Sequence, residues 1–144
     1  MCHYLTKVKL WDNFVRKMNM KIIIIGATGT IGKHVTAALQ KDHEVIKAVS
    51  KSADMQVDIT STESIENFYK QVGKFDALLC TAGDAQFGPL AYMKEADFRV
   101  GVNSKLMGQV NLVLIGQHYI NPKGSFTLTS GALADDPDSD GCKY

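Results

Sequence analysis

Three glycines, Gly26, Gly29 and Gly32, follow the aliphatic run Ile22 to Ile25 at three-residue spacing, within the stretch "KIIIIGATGTIGK". The glycines alone are weak evidence, but between a strand and a helix their spacing suits holding a diphosphate against backbone, with a purely structural turn as the alternative. Gly26 permits a tight turn, Gly29 lets the chain approach a pyrophosphate, and Gly32 brings the helix close to the strand. The amides at the start of that helix, and its dipole, would face the phosphates. Thr28, Thr30 and Ile31 lie in the same turn and join the candidate cofactor contacts. About 20 positions beyond such a turn, an acidic residue selects the ribose hydroxyl of NAD, and a basic one accepts the extra phosphate of NADP. Here Ser50, Lys51 and Ser52 occupy that region, with Asp54 just outside it, which favours NADP(H) over NAD.

Around these residues the pattern alternates between strands and helices. Ile22 to Ile25 has no polar face, as expected where helices cover both sides of a parallel sheet. Thr30 to Lys41 places Ile31, Val35, Ala38 and Leu39 on one helical face. Glu44 to Val49 reads as a second strand and Met55 to Ile59 as a short, irregular edge segment. Too few residues separate these two for a crossover helix, which needs about a dozen. Thr60 is placed to cap a helix, with Glu63 completing a capping box and Ile65, Phe68, Tyr69 and Val72 forming the apolar side. Lys74 to Cys80 is a strand, Lys94 to Tyr119 a helix broken near its start, and Gly124 to Ser130 the last strand. This alternation predicts an α/β fold, a doubly wound parallel sheet with helices on both faces.

The 144 residues are 45% hydrophobic and 22% charged, a balance that predicts one domain with one core. A net charge of +1 argues against nucleic acid and anionic membrane as partners. No apolar run is long enough to span a bilayer, and the expected location is the cytoplasm. Cys2, Cys80 and Cys142 have no pairing or metal spacing, and Cys80 ends an apolar run as a buried hydrophobe would. His3, His34, His43 and His118 are dispersed, so no metal site is expected. Residues 1–19 carry an apolar stripe, Leu5, Val8, Trp11, Val15 and Met18, on a basic background. They read as an extension upstream of a natural start at Met20 or Met18, with a surface or membrane-seeking helix as the alternative. Residues 20–134 then form the nucleotide-binding domain and 135–144 an acidic tail. In that tail "DPDSDG" matches the opening of a calcium loop through Asp136, Asp138, Asp140 and Gly141, but the chain lacks the closing Glu.

The stretches "GATGTIG", "VDIT", "CTAG", "NSKLMGQVNLVL" and "GSFTLTSG" occur in this order between Gly26 and Gly131. Together they resemble the short-chain dehydrogenase/reductase family, within it a compact bacterial group, over Met20 to Asp136. The resemblance implies a Rossmann-like sheet, incomplete at its C-terminal side, and an oxidoreductase acting on a small carbonyl or alcohol with NADP(H). It places Asp58 and Ile59 beside the adenine, and Thr81, Ala82 and Gly83 under the adenosine ribose. Ser130 or Gly131 falls at the family's catalytic serine, and Asn103 or Lys105 at its helix asparagine. The family's Tyr and the Lys four residues after it are missing, since only "CKY" follows Gly141. The resemblance also implies an open sheet edge and an apolar face beside Phe126 to Leu128, hence a homo-oligomer pairing through Val110 to Ile120. The rival reading is a dinucleotide-binding module that senses or scaffolds without chemistry.

Overall fold

The computed structural model describes residues 19–51 and 55–131. Ser52, Asp54, nearly all of the N-terminal extension and the acidic tail with its calcium-like loop lie outside the described residues. Five parallel strands form one sheet in the order β3-β2-β1-β4-β5. They are β1 (Lys21–Ile25), β2 (Glu44–Val49), β3 (Met55–Gln56), β4 (Phe75–Cys80) and β5 (Ile120–Leu128). The helices are α1 (Thr30–Leu39), α2 (Thr62–Val72), α3 (Glu95–Gly101) and α4 (Gln109–Gly116), with a π-helical segment, Val102–Gly108, joining the last two.

The isoleucines of β1 explain the layering. Side chains alternate across a strand, so Ile23 and Ile25 enter one core with Ile65, Phe68, Tyr69 and Val72 of α2 and Leu112 of α4. Ile22 and Ile24 enter the other, against Val35 and Leu39 of α1. Both faces of the central strand are thereby dry, which a β-branched run without polar positions requires. Tyr69 stacks between Phe75 and Tyr119 and donates to the Leu112 carbonyl at 2.7 Å, so its phenol is pinned in the core, where burial pushes its pKa up.

Several boundaries differ from the sequence-based expectation, each for a local reason. Ser61, not Thr60, caps α2: its hydroxyl accepts from Ser64 N at 3.2 Å. Thr60 is diverted into a turn at Asp58, whose carboxylate accepts both the Thr60 amide (2.9 Å) and hydroxyl (2.7 Å). On α1 Val35 and Leu39 face the sheet as expected, joined by the buried Gly32 and Thr36, while Ile31 and Ala38 are exposed; Gly32 is where helix and strand approach most closely. The helix expected to break near its start instead widens in its middle, through the π segment. β5 starts at Ile120, earlier than expected, and takes up Lys123 at φ 69° with a register shift opposite Phe75–Ala77. β3 is only two residues long, and pairs Met55 with Ala48.

β5 is an open edge of the sheet among the described residues, as expected, and its apolar face is partly covered. Phe126 packs edge-on against Phe75 at 5.9 Å, leaving Leu128 with the polar Ser125 and Thr127 exposed. Exposed apolar side chains collect instead along Phe87, Leu90, Tyr92, Phe98, Leu106 and Met107. In the stretch proposed for pairing, Leu112 is buried and Leu114 is exposed.

Candidate nucleotide and substrate site

Strand order reverses between β1 and β4, and open α/β sheets bind ligands at such a switch point, beyond the carboxyl ends of the strands. The glycine turn lies there. Gly26 adopts φ 83°, donates its N–H to Ala48 O at 2.8 Å, and leaves no room for a side chain, since a Cβ would stand 2.9 Å from Ala82 N. A Cβ on Gly32 would stand 2.0 Å from the Gly26 carbonyl oxygen, so only glycine lets α1 start this close to β1. Gly29 is the residue before α1, and no side chain caps that helix. Its first amides, which have no intrahelical partners, are left to an external acceptor. Thr28, Thr30 and Ile31 are exposed around it.

Thr81 fastens β4 to this turn: its hydroxyl donates to the carbonyls of Ile25 and Gly26 at 3.1 and 3.2 Å. Ala82 packs beside Gly26, and Gly83 takes φ 132°. Beneath them the Cys80 thiol is buried, as expected, donates to Ala82 O at 3.7 Å and has its pKa raised by burial. Ser50 and Lys51 are exposed beyond the end of β2, with the Ser50 carbonyl accepting from Gln56 Nε2 at 2.7 Å. Ile59 is buried in the core, while Asp58 is exposed with its carboxylate engaged by Thr60.

A cavity of about 500 Å³ opens between the π segment and the residues after β5, lined by Val102, Lys105, Gln109, Leu128, Thr129 and Ser130 among others. Of the two helix candidates, Lys105 lines it and Asn103 is exposed elsewhere; Ser130 and Gly131 both line it. The π segment approaches the turn after β4 because Gly83 has no side chain, its Cβ position lying 2.5 Å from Lys105 Cδ.

Three residues that sequence reasoning missed hold this region together. Gln109 accepts from Thr129 N (3.0 Å) and donates to the carbonyls of Thr129 (3.0 Å) and Lys105 (2.8 Å), clasping helix to strand end. Thr129 Oγ1 accepts from Lys105 Nζ at 2.8 Å. Ser104, buried, accepts from Asp84 N at 2.9 Å and ties the loop after β4 to the π segment. Gln109 opens the mostly apolar stretch Val110 to Ile115, but Asn111 is a second amide within it, so its role left little sign in the sequence. A Tyr and a Lys four residues apart do occur, Tyr119 and Lys123, but at the opposite end of the sheet, where Tyr119 stacks on Tyr69.

Among solved structures, the protein lin1944 from Listeria innocua is 49% identical, with a TM-score of 0.80 over 82% of this chain and 59% of its own. A small-chain dehydrogenase in complex with NADPH is 27% identical, with a TM-score of 0.73 over 81% of this chain and 52% of its own. A short-chain dehydrogenase/reductase from Burkholderia multivorans with bound NADP, 17% identical, shares the fold, with a TM-score of 0.73 over 84% of this chain and 63% of its own. The chain therefore spans between about half and three fifths of the length of these structures. No curated protein matches it. Residues 22–138 match the NAD dependent epimerase/dehydratase family. With its parallel sheet, its glycine turn at the switch point and its short-chain dehydrogenase neighbours, this chain belongs to that family and carries the Rossmann-like fold of the short-chain dehydrogenases.

Proposed function

We propose that this chain binds NADP(H) along the carboxyl edge of its sheet and forms the cofactor-binding part of an oxidoreductase for a small carbonyl or alcohol. The observation that carries this reading is the cradle at Gly26 and Gly32, where any Cβ would strike backbone, under a helix start left uncapped. That surface suits a diphosphate, which brings acceptor oxygens and no bulk. Gly26, Gly29 and Gly32 would hold the diphosphate, Thr81 to Gly83 the adenosine ribose, and Asp58 and Ile59 would border the adenine. Lys51, exposed past β2, would meet the extra phosphate of NADP(H).

When bound, the cofactor supplies or accepts hydride. The chain's own part is to hold the substrate oxygen beside it, and the Ser130 hydroxyl, a donor in the wall of the cavity, would do so. Among the described residues that line it there is no His, Asp, Glu or Tyr to exchange a proton, and this favours the second reading, a binding module without chemistry. Fluorescence titration with NADPH and NADH tests the first part. Tighter NADPH binding is expected, and Lys51→Glu should reduce the NADPH preference about tenfold, by roughly 1.4 kcal/mol. A folded sample that binds neither nucleotide would overturn the reading. Turnover of aldehydes or ketones with NADPH separates enzyme from module.

A further inference from the structure

Among the described residues, the cavity beside the π segment has one charged group in its wall, and no described residue neutralises it. Among the described residues, Lys105 Nζ has a single partner, the neutral Thr129 hydroxyl at 2.8 Å, and no carboxylate lies within ion-pair reach. The ammonium is also held in place. Its backbone carbonyl is taken by Gln109, and Gln109 binds Thr129 through both amide atoms, so helix, strand end and lysine tip form one closed set of hydrogen bonds. The aliphatic stem of Lys105 lies along Gly83, where a larger residue would push it away. The rest of the wall is mostly apolar, with Val102, Leu106, Val110 and Leu128 prominent.

A fixed ammonium with unused N–H donors at the wall of a mostly apolar recess offers charge-assisted contacts, and a ligand anion is the partner that takes them up. Thr129 adds to this: with Lys105 donating to its oxygen, its own proton is free to donate to the same ligand. We propose that the cavity recognises a carboxylate, held by Lys105 and Thr129, on a substrate whose remainder is apolar. The substrate class is then a carbonyl or hydroxy acid, not a neutral aldehyde or ketone. The identity of this substrate as an oxidoreductase substrate rests on the function proposed above; the carboxylate site itself does not.

Benzoate and benzamide, equal in size and different in charge, serve as probes, titrated calorimetrically against the whole chain alone and with NADP+. Benzoate is expected to bind about tenfold more tightly than benzamide, a difference of the size an added charge-assisted contact gives. Lys105→Met, which keeps the stem, should abolish that preference and leave benzamide binding and NADPH affinity unchanged. Thr129→Val, which keeps the shape, should weaken benzoate about threefold. Equal affinity for the two probes in the parent chain overturns the proposal, as does benzoate binding that survives Lys105→Met in a folded protein. If Lys105→Met does not fold, Thr129→Val decides by the same ratio. A Lys105→Met chain that loses NADPH instead assigns the lysine to the cofactor and also overturns it. Failure of NADPH binding in the parent chain would sink the cofactor reading and leave the benzoate comparison standing.

Discussion

At the end of β1 the site is shaped by side chains that are missing, whereas beyond β5 it is shaped by side chains that reach across. Gly26 and Gly32 make room by having no Cβ, and their contacts are with backbone that cannot yield. Lys105 and Gln109 reach Thr129, 20 or more positions away along the chain, through flexible ends. The first half is therefore intolerant and local, the second adjustable and long-range. On the function proposed above, the former would suit an invariant diphosphate and the latter a cavity that selects among substrates.

Substitutions can break or sharpen this contrast. The largest effect is expected for Gly32→Ala, whose new methyl must displace backbone, at a cost of roughly 3 kcal/mol or more. Urea denaturation and NADPH titration would both show it, and an unchanged midpoint would mean that the turn adjusts as easily as the far half does. Gln109→Leu removes the clasp and leaves the Thr129 amide and carbonyl without their partner, at about 2 kcal/mol. NADPH affinity should hold while the cavity loosens, read as faster amide exchange at Thr129; a loss of NADPH binding would show that the halves are not separable.

Gly83→Ala probes the seam between them. Its φ of 132° and the nearby Lys105 stem make alanine unfavourable by about 1 kcal/mol. The stem can move, so the benzoate preference should fall more than stability does. The opposite ranking would place the strain in the backbone.

The smallest effect is expected for Asp76→Asn, at the far end of the sheet. The Asn121 amide and the Lys21 backbone N–H hold the Asp76 carboxyl below its usual pKa. A depressed carboxylate adds stability above its unfolded pKa and loses it as pH falls through the folded one. The variant should be slightly less stable than the parent at about pH 7 and converge on it toward about pH 3. A constant gap across that range would mean that the charge is not what matters.

How far each half was legible follows from the same contrast. The strand, glycine turn and helix were readable because they are contiguous: four isoleucines with no polar position, then glycines at regular spacing. Thr81 to Gly83 were readable as the turn ending an apolar strand, though not that the Thr81 hydroxyl would fasten β4 to Gly26. The cap at Ser61 was misplaced by one residue because the Asp58 turn competes for Thr60, and competition between neighbouring hydrogen bonds has no sequence period. Lys105 and Asn103 could not be told apart from spacing, since a π segment alters which residue of the helix faces the cavity.

The amino-acid sequence by itself determined the layered α/β architecture, the two-sided burial of β1 and the glycine turn that follows it, because hydrophobic periodicity and the absence of Cβ atoms act locally. Only the tertiary structure decided which polar residues line the cavity. Lys105, Gln109 and Thr129 become neighbours only when the π segment packs against the end of β5, and a set of hydrogen bonds closed across two distant segments leaves no pattern in either one.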